Sequence, residues 1–294
     1  MQKVSSPVLR ALWFVENHSN EPISLSQISD SCGVSPYHLT RAFAAATGIP
    51  LMKYVRARRL SEAAKKISQN SEGILSVAIE SGYNSHEAFT RAFGKHFHCT
   101  PEQVVSQGHT EKLALTEALT LHPTTQIEIT KPRFEMLEAG IYAGIAVHYD
   151  CDDLGGIPNQ WQKAMPFLEE ISTRVGHDLF GICYNYDEAG FVDYMCAAEV
   201  KSSHGLPREL TAMSVDKQLY AVFLHQDHIS EIRVTIGAVW NQWFPYSGYG
   251  VVEGPMFERY DQRFDTVTGL GGVEIWMPVV KINERRENYD DQDT

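Results

Sequence analysis

A tetrapeptide occurs twice in the amino-acid sequence, as Thr40-Arg41-Ala42-Phe43 and, fifty residues later, as Thr90-Arg91-Ala92-Phe93. Each copy follows a glycine, Gly33 or Gly82, and each glycine follows an amphipathic stretch with the apolar spacing of a helix. Glycine gives the backbone the freedom that a sharp turn between two helices requires. The repeat therefore predicts two helix-turn-helix units in the first part of the chain.

Local signals indicate where the second helix of each predicted unit begins. Ser35 and Ser85 stand at helix N-cap positions, and Pro36 occupies a first helical position, where its missing N–H costs nothing. An apolar and basic segment, Leu51 to Ile67, joins the two units and has the spacing of a helix. These signals predict an all-α domain over residues 1–107.

The second helix of a helix-turn-helix unit can enter the major groove of DNA, with its N-terminal residues toward the base edges. Arg41 and Arg91 occupy the same position in the two units, and we expect each to bind guanine with two hydrogen bonds; contact with phosphate alone is the alternative. A plain helical bundle is a second alternative, but the repeated turn, the shared arginine and the basic joining segment favour DNA. The other expected DNA contacts are Tyr37, His38, Thr40, Arg56, His86, Glu87 and Thr90.

The charge of the chain is divided unevenly, which bears on the DNA prediction. The whole chain has a formal net charge of −12, but residues 1–108 hold 11 Lys and Arg against 8 Asp and Glu, a net charge of +3. The remaining residues hold 14 against 29, a net charge of −15. Because an acidic surface repels DNA, any phosphate contact is expected in the basic part.

The basic part resembles the DNA-binding domain of the AraC/XylS family over about residues 5–106. In the first unit the residues that fit the family pattern are Gly33, Ser35, Leu39, Arg41, Phe43 and 54–60. In the second unit they are Ala78, Gly82, Tyr83, Phe89, Arg91, Phe93 and Thr100-Pro101. Two units on one chain, spaced by the joining helix, resemble the two halves of a dimeric repressor, so we expect one chain to contact two segments of major groove about one turn of DNA (~34 Å) apart.

A second domain, residues 126–283, follows a linker at 108–125 in which Thr110 to His122 is expected to be weakly helical. Its mixed pattern predicts an α+β fold, and the acidic tail at 284–294 is expected to fray. The predicted strands are 127–129, 141–147, 179–186, 191–200, 219–225, 249–260 and 273–280, and the predicted helices are 161–175 and 229–244.

The order of the predicted elements in the second domain repeats itself. Strand, helix, strand and strand follow one another twice along the chain. Both helices contain a tryptophan, Trp161 and Trp240, which we assign to core packing. The pattern predicts two strand-helix-strand-strand halves related by a pseudo-twofold axis.

The second domain resembles the GyrI-like, or bacterial effector-binding, domain over residues 126–282. The matching segments are Asp193-Tyr194, 198–200, 220–223 with His225, 243–249, 254–260 and 273–279. One departure is the stretch 226–228, where the family often has a glycine after the strand histidine. The resemblance implies a cleft between the two halves that holds small molecules.

Two carboxylates, Glu199 and Glu274, stand inside otherwise apolar strands of this aromatic-rich domain. A carboxylate among aromatic walls suits an amphipathic or cationic ligand. An ordinary solvent-facing position or an ion pair is the alternative for each. The aromatic residues expected at the pocket, any of which could instead belong to the core, are Tyr142, Tyr184, Tyr194, Tyr220 and Trp276.

The sequence favours a transcription regulator that binds a promoter and a small-molecule effector, with RNA polymerase as a further expected partner. One alternative is that the second domain binds another protein and no ligand. Another is a small-molecule hydrolase that uses Glu199 and Tyr194. We expect no enzyme, because the chain has no G-x-S-x-G elbow, phosphate loop or metal motif.

The sequence predicts no metal site and no cofactor. The five cysteines form no C-x-x-C pair, and neither His96-Phe97-His98 nor the pair His225 and His228 has a third ligand at a suitable spacing. No apolar run approaches the length of a membrane span, and the N-terminus lacks an apolar signal core. We expect a cytoplasmic monomer with no membrane partner.

Overall fold

The computed structural model describes residues 6–18, 21–69, 73–119, 128–151, 153–187 and 190–282. The described residues divide into two compact units, of which the first holds most of residues 6–119 and the second holds residues 128–282. The first unit is helical, and the second is built on an antiparallel sheet with helices, as the two repeat patterns predicted. No helix in the described ranges is both long and apolar enough to span a membrane.

The helices of the first unit include both predicted helix-turn-helix pairs. They are α1 (Pro7–Asn17), α2 (Leu25–Cys32), α3 (Pro36–Thr47), α4 (Leu51–Ser68), α5 (Ile74–Glu80), α6 (His86–Phe97) and α7 (Pro101–Gln107). The pairs are α2 with α3 and α5 with α6, and α4 is the predicted joining helix. Helices α1 and α7 had no counterpart in the sequence prediction.

The turn chemistry predicted for the two helix-turn-helix pairs is confirmed. Gly33 and Gly82 have φ angles of +64° and +76°, which a residue with a Cβ rarely adopts. The hydroxyl of Ser35 accepts a hydrogen bond from the third residue of α3, and that of Ser85 does the same for α6. A Cβ at Gly82 would lie 2.8 Å from the Arg59 guanidinium, so this glycine also lets α4 approach the second turn closely.

Three phenylalanines on one side of α6 form the centre of the core around the second helix-turn-helix unit. Phe89, Phe93 and Phe97 are four residues apart, and their ring centroids are separated by 5.5 and 4.8 Å. Leu60 and Ile67 of α4 belong to the same buried cluster. Burying each ring contributes roughly 1.5–3 kcal/mol, so this spacing fixes which side of α6 faces outward.

The weak helix predicted at 110–122 is wrong for residues 110–119, which contain no helix, and residues 120–122 lie outside the described residues. Residues 114–119, here called the strap, have no helical structure and lie along α4. The strap donates hydrogen bonds from the Thr116 amide to the Ser61 hydroxyl (2.9 Å) and from the Leu119 amide to the Tyr54 hydroxyl (3.0 Å). The strap is not helical because α4 takes up the backbone groups that a helix would pair internally.

The second unit has more strands than the sequence predicted. Its strands are β1 (Arg133–Leu137), β2 (Gly140–Asp150), β3 (Leu179–Tyr184), β4 (Phe191–Val200), β5 (Thr211–Val215), β6 (Gln218–His225), β7 (Tyr249–Val251), β8 (Met256–Tyr260) and β9 (Val273–Lys281). The strand predicted at 127–129 is wrong for Glu128 and Ile129, which have no regular structure; Ile127 lies outside the described residues. Strands β1 and β5 were missed, and the predicted strand 249–260 is broken by Gly254-Pro255 into β7 and β8.

Both predicted helices form, with different bounds. The first, α8 (Ile157–Glu169), stops well before Val175 because residues 173–175 pair with the end of β4 instead. The Val175 amide donates to the Glu199 carbonyl (2.8 Å), and the Lys201 amide donates to the Thr173 carbonyl (2.9 Å). The second contains a short 3₁₀ turn, α9 (Ile232–Ala238), a π-helical turn and α10 (Phe244–Ser247). Trp240 in the π turn is 1% exposed, as expected of a core residue.

The strand order shows the predicted twofold relation directly. Within the described residues the order is β1-β6-β9-β8-β3-β4-β2-β5, with β7 paired to β9 outside this path. A rotation between the central strands β3 and β8 exchanges the two halves. With the rotation axis between Gly181 and Glu258, which lie opposite each other in the central register, Phe180 is equivalent to Phe257 and Ile182 to Arg259.

The helices of the second unit cover one face of its sheet. From α8, the Gln160 side chain donates to the carbonyls of Ile145 and Tyr194, and the Trp161 indole donates to the Tyr194 hydroxyl (3.1 Å). From α9, Thr235 bonds to the buried His225 (2.8 Å). Because side chains alternate along a strand, the residues next to these point to the opposite face of the sheet, here called the open face.

Candidate functional site

The outward side of α6 carries the residues predicted to read DNA in the second helix-turn-helix. Glu87 and Arg91 are exposed, and His86 and Thr90 are partly buried. The His86 ring lies 3.3 Å from the Glu102 carboxylate at the start of α7. The hydrogen bonds that Glu87 receives from its own amide and from Ser85 hold the pKa of its carboxyl below the usual value. The helix therefore presents one negative side chain, Glu87, and one positive side chain, Arg91, a turn apart.

The predicted DNA-reading residues of α3 are less exposed. His38 and Arg41 are 8% and 4% exposed, whereas Tyr37 and Thr40 are partly buried. The Arg41 guanidinium donates a hydrogen bond to the Tyr37 hydroxyl, and its carbon lies 5.0 Å from the centre of the Tyr37 ring. Tyr37 therefore orients Arg41 one helical turn away.

The arginines of α4 divide into two kinds. Arg56 is exposed, as a phosphate contact requires. Arg58 is buried and donates to the Glu16 carboxylate of α1 at 2.7 Å, to Glu62 at 3.1 Å and to the strap. Burial raises the pKa of Glu16, but hydrogen bonds from Arg58 and Tyr54 outweigh it, so the net pKa lies below the usual value. Arg58 thus serves the fold of this unit.

An open cavity of about 200 Å³ lies on the open face of the sheet in the second unit. Both halves contribute to its walls, since strands on either side of the β3–β8 seam supply side chains. The lining residues are Leu137, Tyr142, Asp178, Phe180, Glu199, Phe257, Arg259 and Trp276. The cavity is therefore a cleft between the halves, where the resemblance placed the small-molecule site.

The floor of the cavity is aromatic. The Tyr142 ring lies 5.1 Å from Phe180 and 5.2 Å from Phe257, and Tyr220 lies 5.6 Å from Phe257 and 5.8 Å from Trp276. Tyr220 is fully buried, and its hydroxyl donates to the Pro255 carbonyl (3.1 Å), so it packs beside the floor without lining the cavity. Such a surface suits a flat or branched apolar group.

Most of the charged groups at the cavity are already paired. Arg259 donates to Asp178 at 2.6 and 2.8 Å and to Glu274 at 3.4 Å. Glu274 also accepts from Arg133 (2.7 Å) and from the Trp276 indole (3.1 Å). Burial raises the pKa of Glu274, but these donors outweigh it, and the net pKa lies below the usual value. Glu274 is therefore an ionised anchor for its neighbours.

Glu199 differs from the other carboxylates at the cavity. Within the described residues its carboxylate is in no hydrogen bond or ion pair, although it lies on the cavity wall. Burial raises the pKa of Glu199, Arg259 opposes that shift, and Asp178 adds to it. Partial burial of a charged carboxylate costs desolvation free energy, and without a partner nothing offsets that cost. A bound cation would offset it.

The structure brings together only some of the residues predicted for the pocket. Tyr142, Glu199 and Trp276 line the cavity, and Tyr220 and Glu274 contact lining residues. Tyr184 is on the open face but not among the lining residues. Tyr194 is on the helix-covered face, so the structure does not place it with Glu199.

Tyr194 belongs to a buried polar cluster beneath the sheet. Its hydroxyl and that of Tyr260 each donate to the same oxygen of Glu258 at 2.8 Å. Burial raises the pKa of Glu258, and the two hydroxyls oppose the shift. Gly181 lies opposite Glu258 on the neighbouring strand and leaves the space that the Tyr194 hydroxyl fills.

Sequence reasoning missed several lining residues, namely Leu137, Asp178, Phe180, Phe257 and Arg259. The alternation along β8 contains a usable signal, since Phe257 and Arg259 flank Glu258 and must face the opposite side. Asp178 carries no such signal, because it precedes β3 and meets Arg259 across 81 residues of sequence.

Comparison with known proteins agrees with both domains. Residues 130–280 match the family described as GyrI-like small molecule binding domain, and residues 28–107 match a helix-turn-helix domain of the AraC type. The chain is 25% identical to transcriptional regulator Rob of Salmonella typhimurium over 274 residues, which cover 88% of this chain and 91% of that protein.

Two further relatives share shorter stretches. The right origin-binding protein of Escherichia coli is 29% identical over 170 residues, or 58% of this chain and 55% of that protein. The probable transcription factor PqrA of Proteus vulgaris is 42% identical over 89 residues, or 30% of this chain and 73% of that protein. The chain therefore belongs to the GyrI-like family, as a transcriptional regulator in which an AraC-type helix-turn-helix domain precedes a small-molecule-binding domain.

Proposed function

We propose that the effector of this regulator is an amphipathic organic cation that binds in the cleft on the open face of the sheet. The observation that carries the proposal is the Glu199 carboxylate, which has no hydrogen bond or ion pair among the described residues and lies beside the floor of Tyr142, Phe180 and Phe257. The aromatic faces attract a cation through their quadrupoles, and the carboxylate supplies the matching charge. The cleft itself supports ligand binding over a purely protein-binding domain.

The DNA contacts are the second part of the proposal. Arg91 on α6, which is exposed, contacts guanine, and Arg56 contacts phosphate. Arg41 on α3 contacts guanine in the same way once it leaves its buried position. The residues that complete the two reading surfaces are Tyr37, His38, Thr40, His86, Glu87 and Thr90. The two helices read successive segments of major groove from one chain, without a partner subunit.

The third part concerns what the bound effector does. An effector changes transcription only if it binds more tightly to one of two states that differ in DNA affinity or in contact with RNA polymerase. The protein therefore acts at promoters in the cytoplasm, with RNA polymerase as its partner. We propose no catalytic role for the protein, and the position of Glu199 and Tyr194, the pair suited to a hydrolase, on opposite sides of the sheet supports this.

Promoter binding by the full-length protein, measured with and without candidate effectors, tests the proposal. The compounds are benzyltrimethylammonium and its neutral carbon isostere, neopentylbenzene. We expect the cation to shift the DNA-binding curve and the neutral compound to shift it far less. Glu199→Gln should abolish the difference while ligand-free DNA affinity is kept. The matched control is Glu253→Gln, which removes an exposed carboxylate that does not line the cavity.

Two results would contradict the proposal in different ways. If neither compound binds, the claim of a cationic effector is withdrawn. If the cation binds but leaves the DNA curve unchanged, the pocket assignment stands and the coupling to DNA is withdrawn.

A further inference from the structure

The cavity already contains a positive charge of its own. Two carboxylates, Asp178 and Glu199, and one guanidinium, that of Arg259, are among its lining residues. A pocket suited to cations would be expected to exclude arginine, because like charges repel in a partly desolvated site. The presence of Arg259 therefore calls for a physical account.

The Arg259 guanidinium is held in place by three of its nitrogens. Its Nε and Nη2 donate to the same oxygen of Asp178, and its Nη1 donates to Glu274. Its carbon lies 5.8 Å from the centre of the Trp276 ring. A guanidinium fixed by two acids and an aromatic face is a permanent part of the wall.

The charge count at the cavity follows from these contacts. Arg259 neutralises Asp178, and Glu274 is shared by Arg259, Arg133 and Arg263. Among the described residues, one carboxylate on the lining remains without an ion pair, that of Glu199. Arg133 does not alter this count, since it is paired with Glu135 and Glu274 and does not line the cavity.

We propose that Arg259 is a specificity-determining residue that limits the effector to a single positive charge. The proposal rests on the cationic effector proposed above. A ligand with one cationic group pairs with Glu199 and lays its apolar part on the aromatic floor. A ligand with a second cationic group brings that group toward Arg259, whose charge repels it and whose acids are already occupied.

The test compares one monocation with one dication built on the same ring. The probes are benzyltrimethylammonium and the para-xylylene bis(trimethylammonium) ion, and tryptophan fluorescence of the full-length protein reports binding. Wild type should bind the dication no more tightly than the monocation. Arg259→Gln should shift the ratio of the two affinities toward the dication by about tenfold, a change expected when one nearby charge is removed from a partly buried site.

Further variants separate charge from folding. Arg259→Lys keeps the charge and should keep the preference of wild type. The double variant Asp178→Asn with Arg259→Gln removes one charge of each sign, so it should return toward the wild-type ratio even if the single variant is unstable. Arg208→Gln, at a side chain that is 94% exposed, changes the net charge of the protein equally and should leave the ratio unchanged.

The outcomes distinguish this inference from the function on which it rests. If wild type binds the monocation through Glu199 but both Arg259→Gln and Arg259→Lys have the wild-type ratio, only the role of Arg259 is overturned. The same holds if Arg259→Lys shifts the ratio as far as Arg259→Gln does. If Glu199→Gln leaves monocation binding unchanged, the proposed effector class itself fails.

Discussion

Tyr194 and Glu199 stand five residues apart on strand β4 and face opposite sides of the sheet. The Tyr194 hydroxyl donates to the buried Glu258 beneath the sheet, whereas Glu199 reaches the cavity above it. In a strand without a bulge, such as β4, an odd spacing separates side chains in this way. The two residues therefore have different tasks, one in stability and the other at the cavity.

The first prediction concerns Tyr194→Phe. This change removes a donor from Glu258 and an acceptor from the Trp161 indole, so it should lower the free energy of unfolding by about 1–3 kcal/mol. Urea unfolding of the full-length protein measures the loss, and benzyltrimethylammonium affinity should stay as in wild type. Tyr184→Phe, at a partly buried position on the open face, should cost less than about 0.5 kcal/mol. A loss of cation affinity equal to that of Glu199→Gln would show that Tyr194 belongs to the site.

The second prediction concerns pH. Burial and the nearby Asp178 raise the pKa of Glu199, so as pH falls this carboxyl gains its proton earlier than an ordinary glutamate. Protonation removes the charge that attracts the ligand. Affinity for benzyltrimethylammonium should therefore be full at neutral pH and decline on acidification, beginning at a higher pH than an ordinary glutamate would give. Calorimetry across pH measures the decline, and in Glu199→Gln that step should be missing; a profile identical to wild type would assign it to another group.

The third prediction concerns base reading by α6. Arg91→Ala should weaken binding to the promoter by about 1–3 kcal/mol and relax the preference at one base position. The same change at Arg41 should act on the other half of the site. Competition between promoter fragments with single base changes and random DNA gives the measurement. Equal loss on promoter and on random DNA would mean that the arginine contacts phosphate alone.

The fourth prediction concerns the strap. Tyr54→Phe removes the acceptor of the Leu119 amide and a donor to Glu16, so it should destabilise the helical unit by about 1–3 kcal/mol. Burial, and after it the hydrogen bond to Glu16, raises the pKa of the Tyr54 hydroxyl to about 12. The hydroxyl therefore keeps its proton and stays a donor at neutral pH.

Hydrogen exchange at the Thr116 and Leu119 amides reports on the strap directly. Tyr54→Phe should speed exchange at Leu119, and Ser61→Ala should do the same at Thr116. If both amides exchange at random-coil rates in the wild type, the strap is not held on α4 in solution.

The sequence predicted the first unit well because its signals are local. Gly33 and Ser35 set a turn and a cap within a few residues, and Gly82 and Ser85 repeat them in the second helix-turn-helix. The strap escaped prediction because its partners are distant in sequence, as Tyr54 and Leu119 are separated by 65 residues. Local propensity favoured a weak helix there, and tertiary hydrogen bonds overrode it.

In the second unit the long strands and the repeat were predictable, and the edges were not. Strands β1 and β5 are short and partly exposed, so they lack the apolar alternation that identifies buried strands. The pocket residues required both alternation and register. Alternation alone would have separated Tyr194 from Glu199, whereas the pairing of Arg259 with Asp178 depends on the folded sheet.

The twofold relation between the halves has a consequence for how a ligand lies in the cleft. Phe180 and Phe257 are equivalent under the rotation, so the floor looks nearly the same from either end and by itself would accept a flat molecule in two poses. The charges break this degeneracy, because the counterpart of Arg259 is Ile182 and the register that matches Tyr142 with Tyr220 gives Glu199 no acidic twin. The two halves thus form a nearly symmetric apolar floor, and the charges at a few positions make the cleft polar in one direction only. A bound cation should therefore adopt a single pose, visible as one set of ligand resonances.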